Sequence, residues 1–166
     1  MKKILLTLSI LSILIITSCG KDDGGDIQVG LTGTITFNGE SHSIANGVLS
    51  LRESGGNTIG EFFLADGTLE PTSTGVSTGD SQIIISVVAV SKGTSTLAEG
   101  AYATSTDVPD MYADVAVTTS DGKSEAFTGG TVDISGSGNT YTLTFDVPFG
   151  SSIELSGTVK GTFVNP

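Results

Sequence analysis

The feature that most constrains this chain is a two-residue alternation of apolar and small hydroxylated side chains, recurring from residue 31 to the C-terminus. Tyr141, Leu143, Phe145 and Val147 alternate with Thr142, Thr144 and Asp146. Successive side chains of a strand point to opposite faces, so this spacing builds strands with one buried and one wet face. Ile153, Leu155, Val159 and Phe163 stand in the same way opposite Glu154, Ser156, Thr158, Lys160 and Thr162. With Val132 and Ile134 ahead of them, these residues predict a three-stranded meander. Nothing in 31–166 sustains a 3.6-residue period, so the expected class is all-β, with about eight to ten strands.

Earlier segments fit the same scheme. Leu31, Gly33, Ile35 and Phe37 alternate with Thr32, Thr34 and Thr36, and Asn38-Gly39 follows them. Both turn residues tolerate positive φ, which predicts a tight hairpin with a return strand through His42 and Ile44. Residues 48–53 and 58–65 read as two more strands around Ser54-Gly55-Gly56-Asn57. Residues 71–80 are small and polar and predict a loop with little to bury. Residues 82–90 are apolar on both faces and rich in β-branched side chains, the pattern of a central strand covered on both sides. Residues 97–104 and 111–118 are further strand candidates, separated by a break at Val108-Pro109-Asp110. Gly157 and Gly161 occupy the inward parity of the last strand, where a bend or the close approach of another backbone is expected. Two architectures accommodate such a curved sheet: an antiparallel β-sandwich, ranked first, and a closed or partly closed β-barrel as the alternative.

The start of the chain carries a different message. Lys2 and Lys3 precede an apolar run over residues 4–16, followed by Thr17-Ser18-Cys19. The run is shorter than the roughly 20 residues a spanning helix needs, and its charged start and small-residue end are those of a secretory signal. Cys19 directly after it resembles the lipobox of bacterial lipoproteins, which implies removal of 1–18 and lipidation of Cys19. The competing reading is an ordinary secretory signal that contains a cysteine. Residues 19–30 are polar and glycine-rich, as a flexible acidic tether would be, ahead of a single domain over 31–166. Lys21-Asp22-Asp23 resembles the short Lys/acidic export signal of Bacteroidetes-type surface lipoproteins, implying an outer-membrane, surface-facing location; a solubilising linker is the plainer alternative. Attachment would then run through the acyl chains, and the lipoprotein-processing and surface-export machinery would be partners.

Charge and composition remove several classes of function. From Cys19 onward, five basic residues face eighteen acidic ones, a net −13. Such a surface repels phosphate backbones, so nucleic acid is not an expected partner. His42 is the sole histidine and sits in Ser-His-Ser with no nucleophile elbow elsewhere, so it reads as an ordinary strand residue. One histidine and one lipidated cysteine do not make a zinc site. Asp107, Asp110 and Asp114, and Asp121 with Glu125, lack the spacing of a calcium loop and read as turn residues. The chain has no tryptophan, and Tyr102, Tyr112 and Tyr141 at strand parity read as core or cross-strand residues before they read as a groove. No enzyme activity, cofactor or metal is expected.

The closing pattern, Phe127-x-Gly129-Gly130-Thr131-Val132-x-Ile134, then Tyr141-x-Leu143-x-Phe145-Asp146, then Ile153-x-Leu155-x-Gly157-x-Val159-x-Gly161-x-Phe163, resembles the end of small β-rich lipoproteins of unknown function in the same bacterial group. Some of these have calycin-like barrels, and the resemblance implies a fold without bringing a catalytic residue. Two functions follow as expectations. One is a surface-displayed, non-enzymatic binding or adhesion module with its specificity on loops such as 71–80. The alternative is a calycin-like carrier of a small apolar ligand, which calls for an internal apolar cavity of at least about 300 Å³.

Overall fold

The structure is a computed structural model that describes residues 30–72, 75–104, 109–149 and 153–166. Cys19, Lys21, Asp22 and Asp23, with the whole signal and most of the tether, lie outside the described residues, as does Asp107. Among the described residues there is no helix. The strands are β1 (Leu31–Phe37), β2 (Glu40–Ser43), β3 (Asn46–Ser54), β4 (Asn57–Ala65), β5 (Leu69–Thr72), β6 (Gly75–Thr78) and β7 (Ile83–Lys92). They continue with β8 (Gly100–Ala103), β9 (Met111–Thr119), β10 (Ser124–Phe127), β11 (Thr131–Ser137), β12 (Thr140–Phe149) and β13 (Ile153–Thr162). The chain is all-β, as its alternation predicts. The count exceeds eight to ten because β2, β5, β6, β8 and β10 are only four residues long, too short to register as alternation.

Eleven strands form one sheet, ordered β2-β1-β13-β12-β11-β8-β9-β7-β4-β3, with β10 paired to β9. All its ladders are antiparallel except the single parallel pair Ala103↔Tyr112 between β8 and β9. The sheet curls until its β3 edge reaches the residues just beyond β13. Leu49 N–H donates to the Val164 carbonyl (2.8 Å) and Val164 N–H to that of Gly47 (3.0 Å), a parallel bridge between β3 and the residues just beyond β13. The curl makes two facing walls, as a sandwich has, and the bridge joins their edge, as a barrel does.

The interior is filled. Phe62 on β4 meets Tyr141 on β12 and Phe163 after β13 edge-to-face, with ring centroids 5.5 Å and 5.3 Å apart. Phe62, Tyr102 and Phe163 are fully buried with Ile35, Leu49, Ile85 and Leu143. Burying each such side chain contributes about 1.5–3 kcal/mol, so these residues hold the walls together in the absence of any cross-link.

Local predictions account for much of the register. Asn38 and Gly39 have φ of 52° and 80° and close the β1–β2 hairpin, the torsions a two-residue primed turn requires. Gly157 lies between Ile35 of β1 and Phe145 of β12, with φ +127°, and a Cβ there would run into the Thr34 carbonyl. Glycine is thus required where β13 bends against β1. β7 is central, between β4 and β9. Its Ile83, Ile85, Val87 and Ala89 face the core, while Ile84 is covered from outside. That cover is the β5–β6 ribbon, which packs Leu69 and Val76 near Val48, Phe63 and Ile84. Much of the segment 71–80 is therefore paired strand rather than loop. Pro71 is tolerated there because the ribbon has only two strands and each has a free edge.

Candidate functional site

The strands run between two ends of the curled sheet, and each end carries a depression. The larger is a mouth of about 620 Å³. Three turns distant in sequence surround it: the β3–β4 hairpin, the loop 93–99 after β7, and the β11–β12 turn. Tyr141, only 4% exposed, and the buried Leu97 form the inner part, while Leu51 stands at the rim. Leu51 is the one large apolar side chain exposed among the described residues, at 39%. Its parity explains this: Leu49, Leu51 and Glu53 share the inward face of β3, but the strand outruns the core after Leu49.

Loop 93–99 is held in place by hydrogen bonds to its neighbours. Ala98 N–H donates to Ser91 Oγ (2.9 Å), Ser91 Oγ and the Tyr102 hydroxyl lie 2.6 Å apart, and that hydroxyl donates to the Ala98 carbonyl (2.6 Å). With Ser91 as donor to Tyr102, the three bonds run head to tail in a closed ring. Thr58 Oγ1 donates to the Thr94 carbonyl (2.8 Å), and Glu99 Oε1 accepts from Gly136 N–H (2.8 Å), tying the loop to two other elements. Burial pushes the Tyr102 phenol above its ordinary pKa, against the lowering effect of its bond to Ser91. Burial also raises that of Tyr141, with the Glu99 carboxylate adding to the effect.

The charges at the mouth are unequal. Arg52 lies on the opposite parity of β3, and its Nε and Nη2 both donate to Glu61 Oε1, at 3.1 Å and 2.9 Å. Glu53 and Glu99 take part in no ion pair among the described residues.

The opposite end has a more polar cleft of about 350 Å³, lined in part by Phe37, His42, Asp121 and Lys123. His42 Nδ1 lies 3.2 Å from Asp66 Oδ2, and Asp66 Oδ1 accepts from Gln82 N–H (2.9 Å) and Ile83 N–H (3.1 Å). This carboxylate therefore fixes the start of β7 and holds the return strand β2 against it. No hydroxyl is hydrogen-bonded to His42 among the described residues. Asp121 accepts from Thr119 Oγ1 (2.5 Å) and pairs with Lys123 Nζ (2.6 Å). Its pKa is lowered to about 2, first by the bond to Lys123 and then by that to Thr119. Asp110 and Asp114 stay exposed near and on β9, and no three potential ligands gather into a metal-binding group among the described residues.

The three tyrosines do not share a groove. Tyr141 lines the mouth, Tyr102 lies beneath its loop, and Tyr112 is on β9 with Lys92 Nζ 6.0 Å from its ring centre. Leu51, Ser91 and Glu99 carry almost no mark of a site in the sequence. The only signal was an inward-parity leucine followed, two residues on, by an inward-parity glutamate, the mark of a strand leaving the core. Comparison with protein-family models, with curated proteins and with solved structures finds no match for the chain.

Proposed function

We propose that this chain is a lipid-anchored, surface-displayed, non-enzymatic binding module that takes a small ligand at the mouth beside Leu51, Leu97 and Tyr141. The observation that carries the reading is the preformed mouth itself, whose volume lies within the roughly 300–1,000 Å³ range of small-molecule sites. Its loop is pinned at three points, so a ligand would meet a site already ordered. The anchor rests on Cys19 behind the signal, and display on Lys21, Asp22 and Asp23. Binding at the mouth is preferred to carriage in the interior because Phe62, Tyr102 and Phe163 fill the space between the walls. It is preferred to adhesion through 71–80 because that segment is largely occupied in the ribbon.

The test is binding of N-phenyl-1-naphthylamine, an uncharged apolar fluorophore, to wild type and to Leu51→Asp. Leu51 is exposed, so the substitution spares the core. A fluorescence rise with wild type and a severalfold loss of affinity with the variant is expected, since a ligand can cover only the exposed part of Leu51 and full burial of a leucine is worth about 1.5–3 kcal/mol. Equal binding by both would remove the mouth from consideration.

A further inference from the structure

We propose that the mouth selects a small amphiphilic cation, an apolar body carrying one amine, over an uncharged or anionic ligand of the same body. The proposal rests on the mouth being the ligand site and adds the chemistry of what it holds. The apolar part of such a ligand has Leu51, Leu97 and the Tyr141 ring to cover. The cationic head has Glu53 and Glu99.

Three observations give the mouth its sign. Glu53 follows Leu51 on the inward parity of β3, so the carboxylate and the exposed leucine face the same space. Glu99 uses Oε1 on Gly136 N–H, which fixes the carboxylate at the rim, and no hydrogen bond engages Oε2 among the described residues. Arg52, the one cation in the lining, is turned to the other face and bound through two nitrogens to Glu61. Its charge is offset where it stands, and the unpaired charge at the mouth is acidic. A carboxylate-headed ligand would meet two like charges there, within the field of a chain whose net charge is −11. The Tyr141 phenol, pushed up by burial, stays neutral near pH 7 and leaves the sign of the mouth to the two glutamates.

The experiment displaces N-phenyl-1-naphthylamine from the folded protein with octylammonium, octanol and octanoate. These three share one apolar chain and differ in the charge of the head. Octylammonium is expected to displace the probe at about one-tenth the concentration octanoate needs, with octanol between them, the size expected for a partly hydrated charge pair. Raising salt to about 1 M, where the screening length falls to about 3 Å, should draw octylammonium and octanoate towards octanol. In Glu53→Gln/Glu99→Gln the preference should shrink to within about twofold, since only the field of the rest of the chain remains. Octanoate competing as well as octylammonium, or a preference unchanged in the double variant, overturns the proposal while leaving the mouth as a site. Should the double variant not fold, the three ligands and the salt series on wild type decide alone. If the probe never binds wild type, the site itself is wrong and the ligand class falls with it.

Discussion

Ser91 Oγ and the Tyr102 hydroxyl lie 2.6 Å apart, and Ala98 closes them into a ring of three hydrogen bonds beneath loop 93–99. Both side chains are fully buried at 0% exposure, so neither has bulk water as an alternative partner. Each bond in such a ring polarises the next, and a buried hydroxyl left without a partner is costly. The same ring sets the position of Leu97 and Glu99, on either side of Ala98. Core stability and the shape of the mouth are thereby coupled through one tyrosine.

Tyr102→Phe keeps the ring in the core and removes the hydroxyl. Ser91 and the Ala98 carbonyl each lose a partner, and a destabilisation of about 1–3 kcal/mol is expected. Urea denaturation measures it as a lower midpoint at unchanged slope. Amide exchange at residues 94–99 should accelerate in the variant while β12 and β13 keep their protection. Uniform acceleration across the sheet would mean that the ring serves the core and not the loop.

Alkaline titration tests the burial of the two phenols. Burial raises both Tyr102 and Tyr141 above the ordinary value of 10.0. An acid whose folded pKa is raised contributes stability that is complete below its unfolded pKa and is lost as pH climbs through the folded one. Stability is therefore expected to be insensitive to these groups up to about pH 10 and to fall above it. Phenolate absorbance of the folded protein should rise later than that of the urea-unfolded chain. In Tyr102→Phe the lag should be reduced and that of Tyr141 should remain.

Gly157→Ala tests the bend in β13. The position has φ +127°, and a Cβ would meet the Thr34 carbonyl of β1. Backbone strain alone costs about 1–3 kcal/mol, and the clash adds to it. Gly55, at φ +61° in the β3–β4 hairpin with open space around it, is the control. Its alanine variant is expected to lose only about 1 kcal/mol. Comparable losses at the two positions would mean that the approach of β1 does not constrain β13.

The residues that were legible and those that were not differ in how local their cause is. β1, β3, β4, β9 and β11–β13 announce themselves because a half-buried strand must alternate, whatever its neighbours do. Gly157 was legible for the same reason: an inward position without a side chain breaks the pattern. The closure of Val48 on Val164 left no mark, since it depends on how far the whole sheet curls. The β5–β6 ribbon was hidden because Leu69 and Val76 alone interrupt a polar stretch, and their value appears only once Phe63 and Ile84 lie beneath them. The mouth is built from three turns far apart in sequence. Leu51 is identical in the sequence to a core leucine, and Ser91, on the core parity of β7, reads as the polar residue that ends its apolar run. What separates them is where the strands end relative to the core.

The proposed anchor at Cys19 and the proposed export signal at Lys21, Asp22 and Asp23 give the last prediction. Cys19→Ala should abolish incorporation of labelled palmitate, because no other cysteine is present to carry an acyl chain. Replacing Lys21, Asp22 and Asp23 with alanine should leave palmitate labelling intact. Protease added to intact cells should then digest the wild-type domain and spare the variant. Digestion of both would make the three residues a plain tether on a displayed protein. Protection of both would place the domain inside the envelope, where the mouth would meet periplasmic ligands in place of those outside the cell.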